Sequence, residues 1–232
     1  MSPIVITPEI ALKTLKEAIE CVDSEFILSK TILNPDLEES DTMKAQTERG
    51  FAYELYHQWR NILDSPEYVP LKINSEITKE IDPICFFEDV TDETAFQNYP
   101  DMLLHGGQND VNKQVLICEI KRHKLHSTKA RQEDFIKLRR YLHLYITSHD
   151  GEDTLTDARF KKAAFIMTNC SIEELEQAVI EAFDSNFQER SLFSPEDTAK
   201  IECIACEIKK DGDHRYVKAT SKPLSEILEA TN

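Results

Sequence analysis

The chain has 232 residues, 41% of them apolar and 30% charged, with 43 Asp and Glu against 27 Lys and Arg for a formal charge of −16. That length allows one large domain or two small ones and an ample buried core. The charge excludes a generally basic, histone-like or polybasic membrane-surface protein, while a local basic face still permits a phosphate-bearing partner.

No run of eighteen apolar residues occurs, and Met1 to Leu12 lacks the basic start and apolar stretch of a signal peptide, so a cytoplasmic protein without a membrane partner is expected. The six cysteines lie mostly in apolar segments of a chain too large to need staples, which favours packed thiols. With five glycines there is no GxGxxG, GxxxxGK or GxSxG, so dinucleotide-binding, P-loop and nucleophile-elbow chemistries lose their usual footholds.

Thr7 and Pro8 read as the N-cap and first residue of a helix with Leu12, Leu15, Ile19, Val22 and Phe26 on one stripe. After an acidic stretch, a second helix is predicted over 44–63, carrying the aromatic-rich run from Glu48 to Arg60. Extended runs follow over 71–81, 102–105 and 114–121, with turn chemistry at Gly106-Gly107 and Asn109-Asp110. Helical period returns over 129–146, with Phe135, Leu138, Leu142 and Tyr145 inward and Lys137, Arg140 and His143 mostly outward. Residues 160–168 read as a strand, and Ser171 with Glu174 as a capping box opening a helix to about Phe187. Strands over 201–209 and 215–219 flank a turn at Asp211-Gly212, and a short helix closes the chain.

This order predicts an α/β fold of three α/β/α layers around a central mixed sheet. Without repeats, low-complexity tracts or Pro/Gly/Ser-rich linkers, one domain is expected: a helical extension over 1–43, a core over 44–187, and C-terminal strands with a short helix over 188–232.

The informative constellation is Pro100-Asp101, eighteen positions before Glu119, with Lys121 two further on. Residues two apart on a strand share a face, so Glu119 and Lys121 project together. If their strand pairs with that of Asp101, two carboxylates and an ammonium converge, an arrangement that a hard cation such as Mg²⁺ (or Mn²⁺) compensates. Glu119-Ile-Lys121 has little weight by itself. Cys206-Glu-Ile-Lys209 repeats Cys118 to Lys121 exactly in letters, yet no Pro-Asp strand precedes it, and an edge strand with solvated charges is the expected reading there.

With these residues in place the chain resembles the PD-(D/E)xK, or restriction-endonuclease-like, nuclease superfamily over about residues 44–185. The resemblance implies that Asp101, Glu119 and the carbonyl of Ile120 hold a divalent metal, that Glu54 of the preceding helix assists, with Glu48 as second choice, and that Lys121 serves the attacking water. It implies hydrolysis of nucleic acid, more readily DNA, with a homodimer where both strands are cut. The exonuclease branch's Gln followed four residues later by Tyr is not matched, since Gln132 is followed by Ile136. A rival reading from another class is a non-catalytic member of the fold whose acidic surface engages a protein.

Charge distribution bears on the choice. Residues 121–140 carry Lys121, Arg122, Lys124, Lys129, Arg131, Lys137, Arg139 and Arg140 against Glu133 and Asp134, a local charge of +6. Arg122, Lys124, Lys129 and Arg131 are therefore the expected nucleic-acid contacts, weighed against an ordinary solvated helix face. Elsewhere core packing is expected for Cys203 and Cys206, exposure for His123 and His126, core packing for Tyr53, Tyr56 and Trp59, and either a hydrogen-bonded structural role or a place behind the site for His105.

Overall fold

The computed structural model describes residues 3–28, 41–75, 100–106, 113–123, 126–143, 145–147, 155–157, 159–184 and 186–230. Helices α1 (Pro8–Cys21), α2 (Ser24–Leu28) and α3 (Asp41–Leu63) precede strands β1 (Lys72–Ser75), β2 (Met102–His105) and β3 (Gln114–Arg122). Next come α4 (Thr128–Leu142), β4 (Tyr145–Thr147), β5 (Leu155–Asp157), β6 (Lys162–Thr168), α5 (Ile172–Ala182), α6 (Pro195–Lys200), β7 (Ile201–Asp211), β8 (His214–Pro223) and α7 (Leu224–Glu229).

Six strands form one mixed sheet in the order β1-β2-β3-β6-β7-β8. The β3–β6 and β6–β7 pairs are parallel and the other three antiparallel. Parallel neighbours require long crossovers. The chain supplies them with α4 between β3 and β6, and with α5 and α6 between β6 and β7.

The alternation of side chains divides the core in two. Leu116, Cys118 and Ile120 of β3 pack with Leu15, Ile19, Leu55 and Trp59 of α1 and α3. Leu103 and Ile117 pack with Phe135, Leu138, Leu175 and Val179 of α4 and α5 on the other face. Trp59 is tied to α1 by its indole N–H, which donates to Thr14 Oγ1 at 3.1 Å. Opposite, the Phe135 ring lies 4.6 Å from that of Phe165 and 5.0 Å from that of Phe183, which fixes α4 against β6 and the end of α5. Full burial of such a ring contributes roughly 1.5–3 kcal/mol and sets the rotation of α4 about its axis.

Several expectations are corrected. The first helix ends at Cys21 because Val22 takes an extended conformation (φ −67°, ψ 132°), and Phe26 falls on α2, 39% exposed. Tyr145 continues the apolar stripe of α4 in sequence only. Helix α4 stops at Leu142, and Tyr145 pairs with Asp157 in the separate β4–β5 sheet. Helix α5 stops at Ala182, short of Phe187. The second Cys-Glu-Ile-Lys copy lies on β7, an interior strand, with Lys209 Nζ 2.5 Å from Glu207 Oε1. Tyr53 is 55% exposed, whereas Trp59 is fully buried. Residues 76–81, Gly107, Asn109, Asp110 and Lys124 lie outside the described residues.

Cys203 and Cys206 are both buried, on opposite faces of the sheet as their spacing requires. His105 is also buried, its Nε2 3.1 Å from Asn74 Oδ1, which is the structural role. No helix among the described residues is long and apolar enough to cross a membrane.

Candidate functional site

The site is built where β2 begins and β3 ends. The pairing of Met102 with Cys118 puts Asp101 on the next rung, opposite Glu119. Directly opposed residues of an antiparallel pair have Cβ atoms about 4.5–5.5 Å apart. Pro100 has no N–H for the ladder, and the Asp101 side chain takes over where the backbone stops. Its Oδ2 accepts the Ile120 amide at 2.7 Å. Asp101, Glu119 and Lys121 all lie on the face that carries Leu103 and Ile117, the α4 face.

Helix α4 brings two further charges to them. Its stripe of Arg131, Asp134, Phe135, Leu138 and Leu142 is buried against the sheet. Asp134 thereby meets Lys121, whose Nζ is 3.1 Å from Oδ2. One turn on, Lys137 Nζ donates to Glu119 Oε2 at 2.7 Å and lies 3.3 Å from Asp134 Oδ1. With all five groups ionised, three carboxylates (Asp101, Glu119, Asp134) against two ammonium groups (Lys121, Lys137) would leave one negative charge in excess.

These charges are desolvated. The Glu119 side chain has no exposed surface, that of Asp134 has 3%, and those of Lys121 and Lys137 have 15% each. Burial, then the neighbouring Asp101 carboxylate, hold the Glu119 carboxyl well above its ordinary range. Asp101 is also raised, by burial, against the pull of Lys121 and the Ile120 amide. For Lys121, burial favours the neutral amine, but Asp134, Asp101, Glu48 and Glu119 outweigh it and raise the pKa. Lys121 is therefore a charged hydrogen-bond donor among these carboxylates. Glu119 Oε1 is buried without a hydrogen-bond partner.

The α3 carboxylate that reaches this region is Glu48. Its Oε1 accepts the Arg122 amide at 2.9 Å and also contacts His126 Nε2. Glu54 accepts from Gln58 Nε2 at 2.6 Å within its own helix. Six residues of helix rotate it roughly 120° away from Glu48. His126 and His123 have 19% and 14% of their side chains exposed, and His123 Nδ1 lies 3.9 Å from Glu174 Oε2, so neither is a solvated loop residue.

The basic stretch is largely engaged internally. Arg131 is 8% exposed and donates to the His126 carbonyl and Thr128 Oγ1. Arg139 donates to the Leu192 carbonyl, and Lys121 and Lys137 are paired as above. Lys129 is open, its side chain 83% exposed. A cleft of about 540 Å³ adjoins the site, lined by Lys121, His126, Asp134, Lys137 and Arg140 among others.

Sequence reasoning passed over Asp134 and Lys137. The signal for Asp134 was its position on the buried stripe beside Phe135 and Leu138, where an acid needs a partner. For a hard cation the site offers two carboxylates and the Ile120 carbonyl. Among the described residues no group of three or more Asp, Glu, His or Cys is placed to hold a metal by itself. The buried, partnerless Glu119 Oε1 nevertheless fits such a cation, since an orphan carboxylate oxygen in a dry site is costly without one. Compared with family models, with curated proteins and with solved structures, the chain matches none.

Proposed function

We propose that this chain is a metal-dependent phosphodiesterase of the restriction-endonuclease-like, PD-(D/E)xK, kind, hydrolysing nucleic acid and more readily DNA. The observation that carries the reading is the Asp101–Glu119 rung: one fully buried and one half-buried carboxylate at the end of an antiparallel pair, with Glu119 Oε1 unpartnered and Lys121 on the same face. The sheet order, with α4 and α5 as crossovers on the site's face, supports it. The carboxyl end of parallel strands is also where open α/β sheets usually place their ligands.

Asp101, Glu119 and the Ile120 carbonyl hold Mg²⁺ or Mn²⁺ in this reading, and the ion supplies charge stabilisation and an acidified water. With the ion bound, Lys121 would serve the attacking water or orient a phosphoryl oxygen. Glu48 fixes the Arg122 amide behind the strand, the auxiliary part given to Glu54 by sequence. Arg122 and Lys129 contact phosphates in this reading, whereas Arg131 braces α4; Lys124, the remaining sequence candidate, lies outside the described residues. Cutting of both strands calls for a homodimer.

The non-catalytic reading has one observation in its favour: Lys121 and Lys137 already neutralise Asp134 and Glu119. Titration calorimetry with Mg²⁺ and Mn²⁺, followed by nicking of supercoiled plasmid, decides between the two. Binding and nicking that both vanish in Asp101→Ala and Glu119→Ala establish the nuclease. A folded wild type that binds neither ion establishes the scaffold.

A further inference from the structure

Nothing in the hydrolytic scheme requires Lys137, yet its ammonium is closer to Glu119 than any other cation described. It lies 2.7 Å from Oε2 and 3.3 Å from Asp134 Oδ1, where a cation bound by Glu119 must exert its field. Two positive groups on one fully buried carboxylate repel each other with little water to screen them. One of them must leave, or bind more weakly.

Lys137 has somewhere to go. It rises from the wall of the 540 Å³ cleft that also exposes Lys121, His126 and Arg140, and its four-carbon stem turns by rotamer change without moving α4. The helix itself is pinned by Phe135 between Phe165 and Phe183, so the side chain is the movable part. Asp134 stays paired to Lys121 when Lys137 departs, so only Glu119 changes partner.

We propose that Lys137 is the resident counter-ion of Glu119, which a divalent cation displaces into the cleft. The metal-free site is then held closed by its own ammonium, and the cleft gains a free cation only when the metal is seated. This rests on the metal-binding reading of the Asp101–Glu119 rung and adds a regulatory part to it.

The test is a Mn²⁺ titration by calorimetry of the full chain as wild type, Lys137→Met, Lys137→Gln and Asp101→Asn, each checked for fold by circular dichroism. Removing the resident ammonium is expected to tighten Mn²⁺ binding by roughly tenfold or more in both Lys137 variants, with binding lost in Asp101→Asn. The Gln variant keeps a donor for Glu119 if Met disturbs packing, and a purely structural lysine would not tighten metal binding. Binding by the Lys137 variants alone shows an ammonium that no cation displaces, and overturns the proposal. Equal affinities in wild type and both Lys137 variants overturn the proposal and leave the metal site standing. No binding by any of the proteins, or binding that survives Asp101→Asn, overturns the metal site and the proposal together.

Discussion

Asp101 accepts the backbone amide of Ile120 at 2.7 Å, so one carboxylate both ends the β2–β3 ladder and faces Glu119 across it. These two roles separate by substitution. Asp101→Ala orphans the Ile120 N–H in a desolvated sheet and is expected to cost about 1–3 kcal/mol. Asp101→Asn keeps an acceptor for that N–H and removes the charge that raises Glu119, so its metal-free stability is expected at or above that of wild type. Urea denaturation at pH 7 in chelator measures both. Equal losses in the two variants would show that the charge, not the hydrogen bond, holds the strand end.

Glu48 and Glu54 share α3 but differ in what they touch. Glu48 meets the Arg122 amide and His126, and Glu54 meets only Gln58 among the described contacts. Groups that orient a metal site's strand from behind typically cost ten- to a hundredfold in affinity or activity when removed, so a loss of roughly that size is expected for Glu48→Ala. Glu54→Ala is expected to nick plasmid at the wild-type rate. The reverse ranking would assign the auxiliary role to Glu54.

What sequence pattern captured was local. The caps at Thr7 and Ser171, the strand runs around Leu103, Ile117 and Phe165, and the shared face of Glu119 and Lys121 all follow from periods of two and 3.6 residues and from capping chemistry. What it missed depended on partners far along the chain. Tyr145 fits the helical stripe of α4, yet Asp157 draws it into a strand. Lys137 lies on the polar side of the α4 pattern, but its counter-charge comes from Glu119, on another element. A helical wheel ranks Lys137 as solvated because it knows nothing of the acid that β3 presents to it. Which of Glu48 and Glu54 contacts β3 was equally illegible, since both sit on one helix and only the docking angle of α3 brings Glu48 to the Arg122 amide.

The joint between α1 and α3 rests on a fully enclosed pair. Thr14 Oγ1 accepts from Trp59 Nε1 at 3.1 Å and donates to the Ala11 carbonyl at 3.1 Å. Thr14→Val keeps the volume and leaves the indole N–H buried and unsatisfied, which is expected to cost about 1–3 kcal/mol. Thr14→Ser keeps the hydroxyl and should recover most of that loss. Thermal unfolding of the three proteins reads the difference, and a Val variant as stable as wild type would mean that water reaches Trp59.

Asp197 gives the fold an acid-sensitive clasp. It closes the capping box of α6, accepting the Ser194 amide at 3.0 Å, and its Oδ1 lies 2.6 Å from His143 Nε2, with Arg139 Nε 3.5 Å from Oδ2. Burial opposes its charge, but the Ser194 bonds and His143 outweigh burial and lower its pKa below the ordinary Asp value. A carboxyl whose folded pKa is depressed binds fewer protons folded than unfolded, so it contributes stability above the unfolded value of about 3.9 and loses it as pH falls through the folded value. Below pH 5 the wild type is therefore expected to lose stability more steeply than Asp197→Asn, which cannot titrate. Near pH 7 the ranking reverses, because the Asn variant lacks the charge that His143 and Arg139 face. Urea midpoints measured from pH 7 to pH 3 test this, and parallel curves for the two proteins would show that Asp197 contributes nothing to the acid limb.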